Sequence, residues 1–365
     1  MSSSLSSIPV EIDSIESLEK FPVYENLKLK FEKAEKNNDL VYSKSESEYL
    51  TDDKSGMKYE LKIVNALSLR PINRPTEPGT KEIETKEKID KVKSKNPFIK
   101  PEPELTIVDS LCNDYRVILN KYPNTEEHFL LVTKEFIQQD TLLKPIELQI
   151  VYTILKNINV SSSSNNIESE KVNFFAFFNS GPESGYSQFH KHIQFMKLPE
   201  NFNIYQDEVI KGHEHYIPND LNDSKQPLSE KNFKFRHFIL PLPTDFKNND
   251  EFEEILSTMY ITLIRRVMNV FKEYEEIDKE FKFTGKISYN FLMTNKWMMI
   301  IPRRNAKFNG IWQNSLGYMG LFSVKNDEVK KNLLDTGISN LLENCGFPLQ
   351  ENEEESKIVY NEYSY

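Results

Sequence analysis

Between residues 174 and 195 the sequence carries two strand signals almost back to back, and they constrain the fold more than any other feature. Phe174-Phe175-Ala176-Phe177-Phe178 is a continuous apolar run, the pattern of a buried strand. A Gly/Ser/Pro loop follows over residues 179–187, and Gln188 to Phe195 reads as a second strand. Further strands are expected at Met57 to Val64, where Met57, Tyr59, Leu61 and Ile63 alternate, and at Phe235 to Leu242. Tyr115 to Asn120 and Glu127 to Thr133 are joined across the turn signal Tyr122-Pro123-Asn124. Ile287 to Met293 and Trp297 to Ile301 flank Thr294-Asn295-Lys296 as a hairpin. Helical spacing marks residues 11–36, split by Pro22, and Leu143 to Ile158. Asp250 to Tyr274 carries one apolar stripe behind an acidic first turn, and Val329 to Asn344 is a last helix closed by Gly346. These elements intermix without a βαβ rhythm. The class expected is therefore α+β, a mostly antiparallel sheet flanked by helices.

Composition narrows the function. A chain of 365 residues can support one extended core or two fused cores. A formal net charge of -10 argues against a nucleic-acid binder, though not against a local basic pocket for an anion. Cys112 and Cys345 are the only cysteines, which predicts a reducing compartment and no disulfide framework. Residues 1–10 do not read as a secretory signal, and no run reaches the ~18 apolar residues of a membrane span. No membrane partner is expected. The location expected is cytoplasmic, with a nuclear one left open. The chain is expected to be a monomer, since no sustained heptad pattern stands out.

In the strand Gln188 to Phe195, residues two apart share a face, so His190, His192 and Gln194 line one surface and Lys191, Ile193 and Phe195 the other. The upstream loop Asn179-Ser180-Gly181-Pro182-Glu183-Ser184-Gly185-Tyr186-Ser187-Gln188 offers glycines, hydroxyls and backbone N–H groups that can cradle phosphate oxygens. A neutral imidazole beside such a loop can attack phosphorus and carry a nucleotidyl group to a second acceptor. Gln194 can donate to a phosphoryl oxygen as charge shifts, but it cannot ionise. Two alternating histidines can equally be metal ligands or hydrogen-bonded core residues. A metal would need further donors, and His213-Glu214-His215 reads as a solvated loop, so no metal site is assigned. His128 and His237, on expected strands, read as structural.

The pattern His190-Lys191-His192-Ile193-Gln194 resembles the signature of the transferase branch of the histidine triad superfamily. The loop from Asn179 to Gln188 is similar, within it, to the fungal diadenosine tetraphosphate phosphorylases, also called ATP adenylyltransferases. Lys95-Asn96-Pro97-Phe98, Leu119 to Pro123, Glu127 to Thr133, Ser288-Tyr289-Asn290, Trp297 to Arg303 and Asn314 to Tyr318 extend the resemblance. It implies a histidine-triad-like fold whose two halves share one active site: a catalytic region over 8–230, a second region over 231–350 and a tail over 351–365. Residues 78–96 and 161–170 are expected to be disordered insertions, and the stretch around 200–230 a linker.

The resemblance further implies that phosphate splits diadenosine tetraphosphate into ATP and ADP. His192 would attack the α-phosphorus, ATP would leave, and phosphate would remove the AMP as ADP. An exchange of the terminal phosphate of ADP for sulfate is an implied side activity. His190 would steady His192. Asn179, Gly185, Tyr186, Ser187, Gln188 and Gln194 would hold phosphates, and Asn120 and Lys121 the nucleoside or its phosphate. Asn314, Ser315, Leu316, Leu321 and Lys325 would close the far side. A basic residue early in the chain is also implied, at a position the insertion leaves open. No built-in cofactor is implied; Mg²⁺ or Mn²⁺ could arrive with the substrate. Tyr186 and Leu321 depart from the family pattern, where a small residue and methionine are usual. A galactose-1-phosphate uridylyltransferase-like enzyme and a non-catalytic nucleotide sensor remain the alternatives. The first often carries zinc on paired cysteines, which this chain lacks, and the glutamine at 194 favours transfer over hydrolysis.

Overall fold

A computed structural model describes residues 10–69, 96–161, 172–213 and 227–349. The expected insertions, apart from Asn96 and Ser161 at their edges, and the tail over 351–365 lie outside the described residues.

The architecture grows from strand β7 (Phe174–Ser180), buried along its whole length. Its period of two sends Phe174, Ala176 and Phe178 to one apolar cluster and Phe175 and Phe177 to another. A strand with this sequence therefore needs cover on both faces. Among the described residues it sits in a nine-stranded sheet. Following sequence order, the other strands are β1 (Glu11–Ile12), β4 (Thr106–Leu111), β5 (Tyr115–Leu119), β6 (Phe129–Thr133), β8 (His192–Lys197), β9 (Phe238–Pro241), β10 (Tyr289–Met293) and β11 (Trp297–Pro302). They pair in the order β1-β4-β5-β6-β8-β7-β10-β11-β9, antiparallel except for β1 with β4. The sheet thus runs unbroken from the first half of the chain into the second through the β7–β10 pair.

Helices cover one face. Helix α1 (Ile15–Lys20) is capped by Ser14, whose side chain accepts from the Ser17 N–H, and Pro22 separates it from α2 (Val23–Lys36) as expected. Helix α3 (Pro145–Ser161) lies beside the long α5 (Asn249–Ile277), where Asn248 accepts from the Glu251 N–H. Its buried stripe includes Phe252, Met259, Leu263, Val267 and Phe271. The opposite face, over β7, β10 and β11, is covered by a smaller sheet. There β3 (Lys58–Ile63) pairs antiparallel with β2 (Ser47–Thr51) and parallel with β14 (Leu321–Val324), which follows the two-residue ribbon strands β12 (Lys307–Phe308) and β13 (Ile311–Trp312). This parallel pairing weaves the two halves of the chain together. Over β5, β6 and β8 the same face instead carries a small cluster of Phe98, Ile118, Leu130 and Val132. The site is built there.

Three expectations change. The strand expected from Gln188 starts at His192, and His190 is held in an isolated bridge to Gln138. The expected linker contains helix α4 (Tyr205–Val209), pinned by the buried Gln206, whose amide donates to the Tyr318 carbonyl. The last helix is two: α6 (Asp327–Thr336) and α7 (Ile338–Cys345), broken at Gly337, whose φ of 79° no α-helix accommodates.

Candidate active site

His192 opens into a cavity of about 310 Å³. Phe98, Leu105, Ile118 and Leu130 give it apolar walls, and Asn120, Lys121 and Gln188 put polar groups at its edges. Four residues singled out from the sequence thus meet in one concavity: Asn120, Lys121, Gln188 and His192.

His192 is held at its ring and at its backbone. Its Nδ1 lies 2.8 Å from the His190 carbonyl. A carbonyl only accepts, so Nδ1 carries the hydrogen and the lone pair falls on Nε2. The Phe98 ring packs at 5.4 Å between centroids. The backbone N–H of His192 donates to Oε1 of Gln139 at 2.8 Å. Gln139, itself buried, donates back from Nε2 to the carbonyls of Asn179 and His192. One amide therefore ties the histidine strand to the end of β7.

His190 serves through its backbone. Its Nε2 faces Thr133 Oγ1 at 2.9 Å, and that hydroxyl already donates to the Glu135 carbonyl, so Nε2–H must be the donor. Nδ1 then accepts from Asn96 Nδ2 at 2.7 Å. Burial pushes this imidazole down to about 4, against the weaker pull of its contacts with Thr133 and Glu135, so it is neutral at neutral pH. A neutral, doubly bonded ring holds its own carbonyl still for His192.

The loop after β7 is shaped by the second half of the chain. Gly181 and Gly185 have φ of 84° and 82°, and a side chain at Gly185 would run into the Gln313 carbonyl oxygen. Asn179 Oδ1 accepts from Asn290 Nδ2 at 2.7 Å and from Ser315 Oγ at 2.6 Å, which sets the direction of its amide. The Ser184 carbonyl takes Asn290 Nδ2 and Arg303 Nη1. Arg303, fully buried, gives its remaining N–H groups to the carbonyls of Cys345, Asn305 and Gln313 and to the Asn290 side chain. Removing that guanidinium would strand several buried acceptors at once.

The other expected residues divide. Tyr186 is buried with its ring against Phe189, and Ser187 is half-buried. Lys121 is half-exposed and paired with Glu102. Gln194, in β8, faces His128, with Oε1 3.2 Å from Nε2. Asn314 caps a short 3₁₀ turn (Ser315–Met319), accepting from the Leu316 N–H, and Leu316 is buried. Leu321 is buried on β14 opposite Glu60, and Lys325 is exposed just beyond that strand; neither lines the cavity with His192. Sequence reading gave no role to Gln139, Thr133, Asn96 or Arg303. Asn96, Thr133 and Arg303 carried a signal only as part of the wider resemblance, and Gln139 carried none. Gln139 and Thr133 reach the histidines through pairing between distant segments, which no local pattern announces.

Comparison with known proteins bears on most of the chain. Residues 16–209 match the Ap4A phosphorylase N-terminal domain and residues 231–348 the ATP adenylyltransferase C-terminal domain. The chain is 33% identical over 337 residues to diadenosine 5′,5‴-P1,P4-tetraphosphate phosphorylase 2 of Saccharomyces cerevisiae, covering 89% of this chain and 96% of that one. It is 32% identical to Protein APA1 of the same yeast over 344 residues, covering 92% and 96%. A crystal structure of yeast Ap4A phosphorylase Apa2 in complex with AMP superposes with a TM-score of 0.72 at 29% identity, covering 91% of this chain and 99% of that one. Its complex with Ap4A gives 0.71 at 31%, covering 89% and 97%.

Proposed function

The chain belongs to the Ap4A phosphorylase family of nucleotidyl-transferring enzymes, and from that premise we propose that it splits diadenosine tetraphosphate (Ap4A) with inorganic phosphate, using His192 as nucleophile. The observation that carries this reading is the tautomer of His192, with Nδ1–H held by the His190 carbonyl and the Nε2 lone pair left for chemistry. One adenosine enters the cavity, its base between the apolar walls and its α-phosphate at His192. Nε2 attacks the α-phosphorus, the N–P bond forms, the bond to the bridging oxygen breaks, and ATP leaves with the electron pair. The His190 carbonyl keeps Nδ1–H throughout and stabilises the positive charge on the ring. A phosphate oxygen then attacks the same phosphorus, the N–P bond breaks, and ADP leaves with neutral His192 restored.

Loop N–H groups and the Gln194 amide balance the charge that moves onto the α-phosphoryl oxygens. Asn120 and Lys121 contact the nucleoside end. Ser315, already bonded to Asn179, joins the C-terminal half to the site, and Lys325 answers the distal phosphates. A divalent cation, Mg²⁺ or Mn²⁺, enters as part of the polyphosphate substrate. Gln194 cannot take a proton from water, whereas a phosphate anion needs no base, so the acceptor is phosphate. Each step is reversible in principle, and sulfate is an anion of suitable charge for the second. Ap4A incubated with the protein is expected to give ATP plus ADP only when phosphate is present. ATP plus AMP, or two ADP, formed without phosphate would overturn the assignment of the acceptor.

A further inference from the structure

Alternation along β6 and β8 puts more on the site face than the two motif histidines. Phe129 pairs with Phe195, Leu130 with Gln194 and Val132 with His192. His128, two residues before Leu130, shares its face and lies beside Gln194. His128 is only 1% exposed. It arrives through Glu127, whose φ of 59° is a conformation that side-chain-bearing residues seldom adopt. The backbone there is bent to deliver this ring.

One backbone contact selects the tautomer of His128. The backbone N–H of Asn124 points at its Nδ1 from 3.3 Å. A backbone N–H cannot be flipped or rotated, so Nδ1 must be the acceptor. Asn120, whose Oδ1 accepts from the Tyr122 N–H, brings its Nδ2 to 3.4 Å from Nδ1 and 3.3 Å from Nε2, so it does not discriminate between the two nitrogens. With the lone pair on Nδ1, the hydrogen is on Nε2. Nε2 meets Gln194 3.2 Å away. Facing a donor, the amide must present Oε1 to His128 and turn its NH₂ the other way. An amide in the opposite orientation would set N–H against N–H in a buried space.

We infer that His128 is a positioning residue for nucleotidyl transfer, orienting Gln194 so that its NH₂ and not its carbonyl faces the phosphoryl group on His192. The inference rests on the function proposed above. Its chemical content is a sign: a glutamine turned the wrong way presents a partial negative charge to an already anionic phosphate, and the reaction slows even though nothing has left the site. Preorganised donors matter most as charge develops, so the effect belongs to the rate of transfer more than to binding.

The test is a double-mutant cycle on the rate at which AMP is loaded onto the protein from Ap4A in a single turnover. His128→Leu is expected to slow loading by about 10- to 100-fold with KM for Ap4A little changed. His128→Gln, whose Nε2 can replace the ring N–H, is expected to recover most of the rate. In a Gln194→Ala background, His128→Leu should cost little further. Equal losses in both backgrounds, or a His128→Leu protein with lowered thermal stability but unaltered loading, would overturn the inference. If that variant does not fold, imidazole ¹⁵N shifts of the unsubstituted protein decide: the Nε2–H form of His128 is required, and the Nδ1–H form refutes it. Wild-type protein that loads AMP while the cycle is additive removes only this inference. Wild-type protein that never loads AMP removes the proposed function with it.

Discussion

Replacing His192 with glycine is expected to lower kcat for Ap4A phosphorolysis by on the order of 10⁴-fold or more, with AMP binding changed by only a few-fold. The size follows from what is removed. In the proposed mechanism the ring bears the only bond formed to the substrate in the first step, and none of Gln188, Asn120 and Lys121 around the cavity is placed by the same fixed carbonyl. Binding should survive because the cavity walls come from other segments: Phe98, Leu105, Ile118 and Leu130. The backbone of residue 192 should survive too, since its N–H is held by Gln139 whatever the side chain. Single-turnover rates and equilibrium binding of AMP, measured on the same preparation, separate the two effects. A glycine variant that keeps more than about a tenth of the wild-type rate would move the nucleophile elsewhere, because so small a loss is under 1.4 kcal/mol of barrier.

The second large effect lies on the back of the strand that carries His192. Lys191, between the two histidines, points away from the site and forms an ion pair of 2.6 Å with Glu147, both side chains being 2% exposed. Its ammonium also donates to the Leu142 carbonyl, and Glu147 accepts from the Lys144 N–H near the start of α3. Burial pushes the lysine down and the carboxylate of Glu147 pulls it back up. Glu147→Leu leaves a buried ammonium without its counter-charge, and is expected to cost about 3–5 kcal/mol of stability. Glu147→Leu combined with Lys191→Met removes both charges, and most of that loss should return. Urea unfolding of wild type, the two single variants and the double variant measures this directly. A single variant within about 1 kcal/mol of wild type, or a double variant worse than both, would mean that the pair does not anchor the strand.

Much of this was legible in local pattern, and the reason is burial. A strand covered on both faces cannot hide its apolar run, and a strand with one reactive face cannot hide its alternation, so Phe174 to Phe178 and His190 to Gln194 could be read without a structure. Breakers and charge patterns worked where they act locally, as at Pro22 and in the acidic first turn of α5. Non-local pairing was not legible. The parallel contact of β14 with β3 joins residues roughly 260 positions apart, and nothing in either segment names its partner. For the same reason nothing local marks Gln139, which the Gln138–His190 bridge brings under His192. His128 was read as structural because its strand pattern was ordinary. Its consequence lies in a tautomer, and that depends on which backbone N–H happens to face it. Gly337 shows the opposite error: helical periodicity carried across it, but its backbone cannot continue an α-helix.

The central claim is that one imidazole nitrogen carries AMP between two acceptors. Intact-protein mass measurement as the protein reacts with Ap4A in the absence of phosphate tests it most directly, followed by mapping of the adduct. The prediction is a single adenylyl group on His192 that accumulates, is acid-labile, and disappears as ADP forms when phosphate is added. Turnover with no covalent adduct, or an adduct on any other side chain, would contradict it.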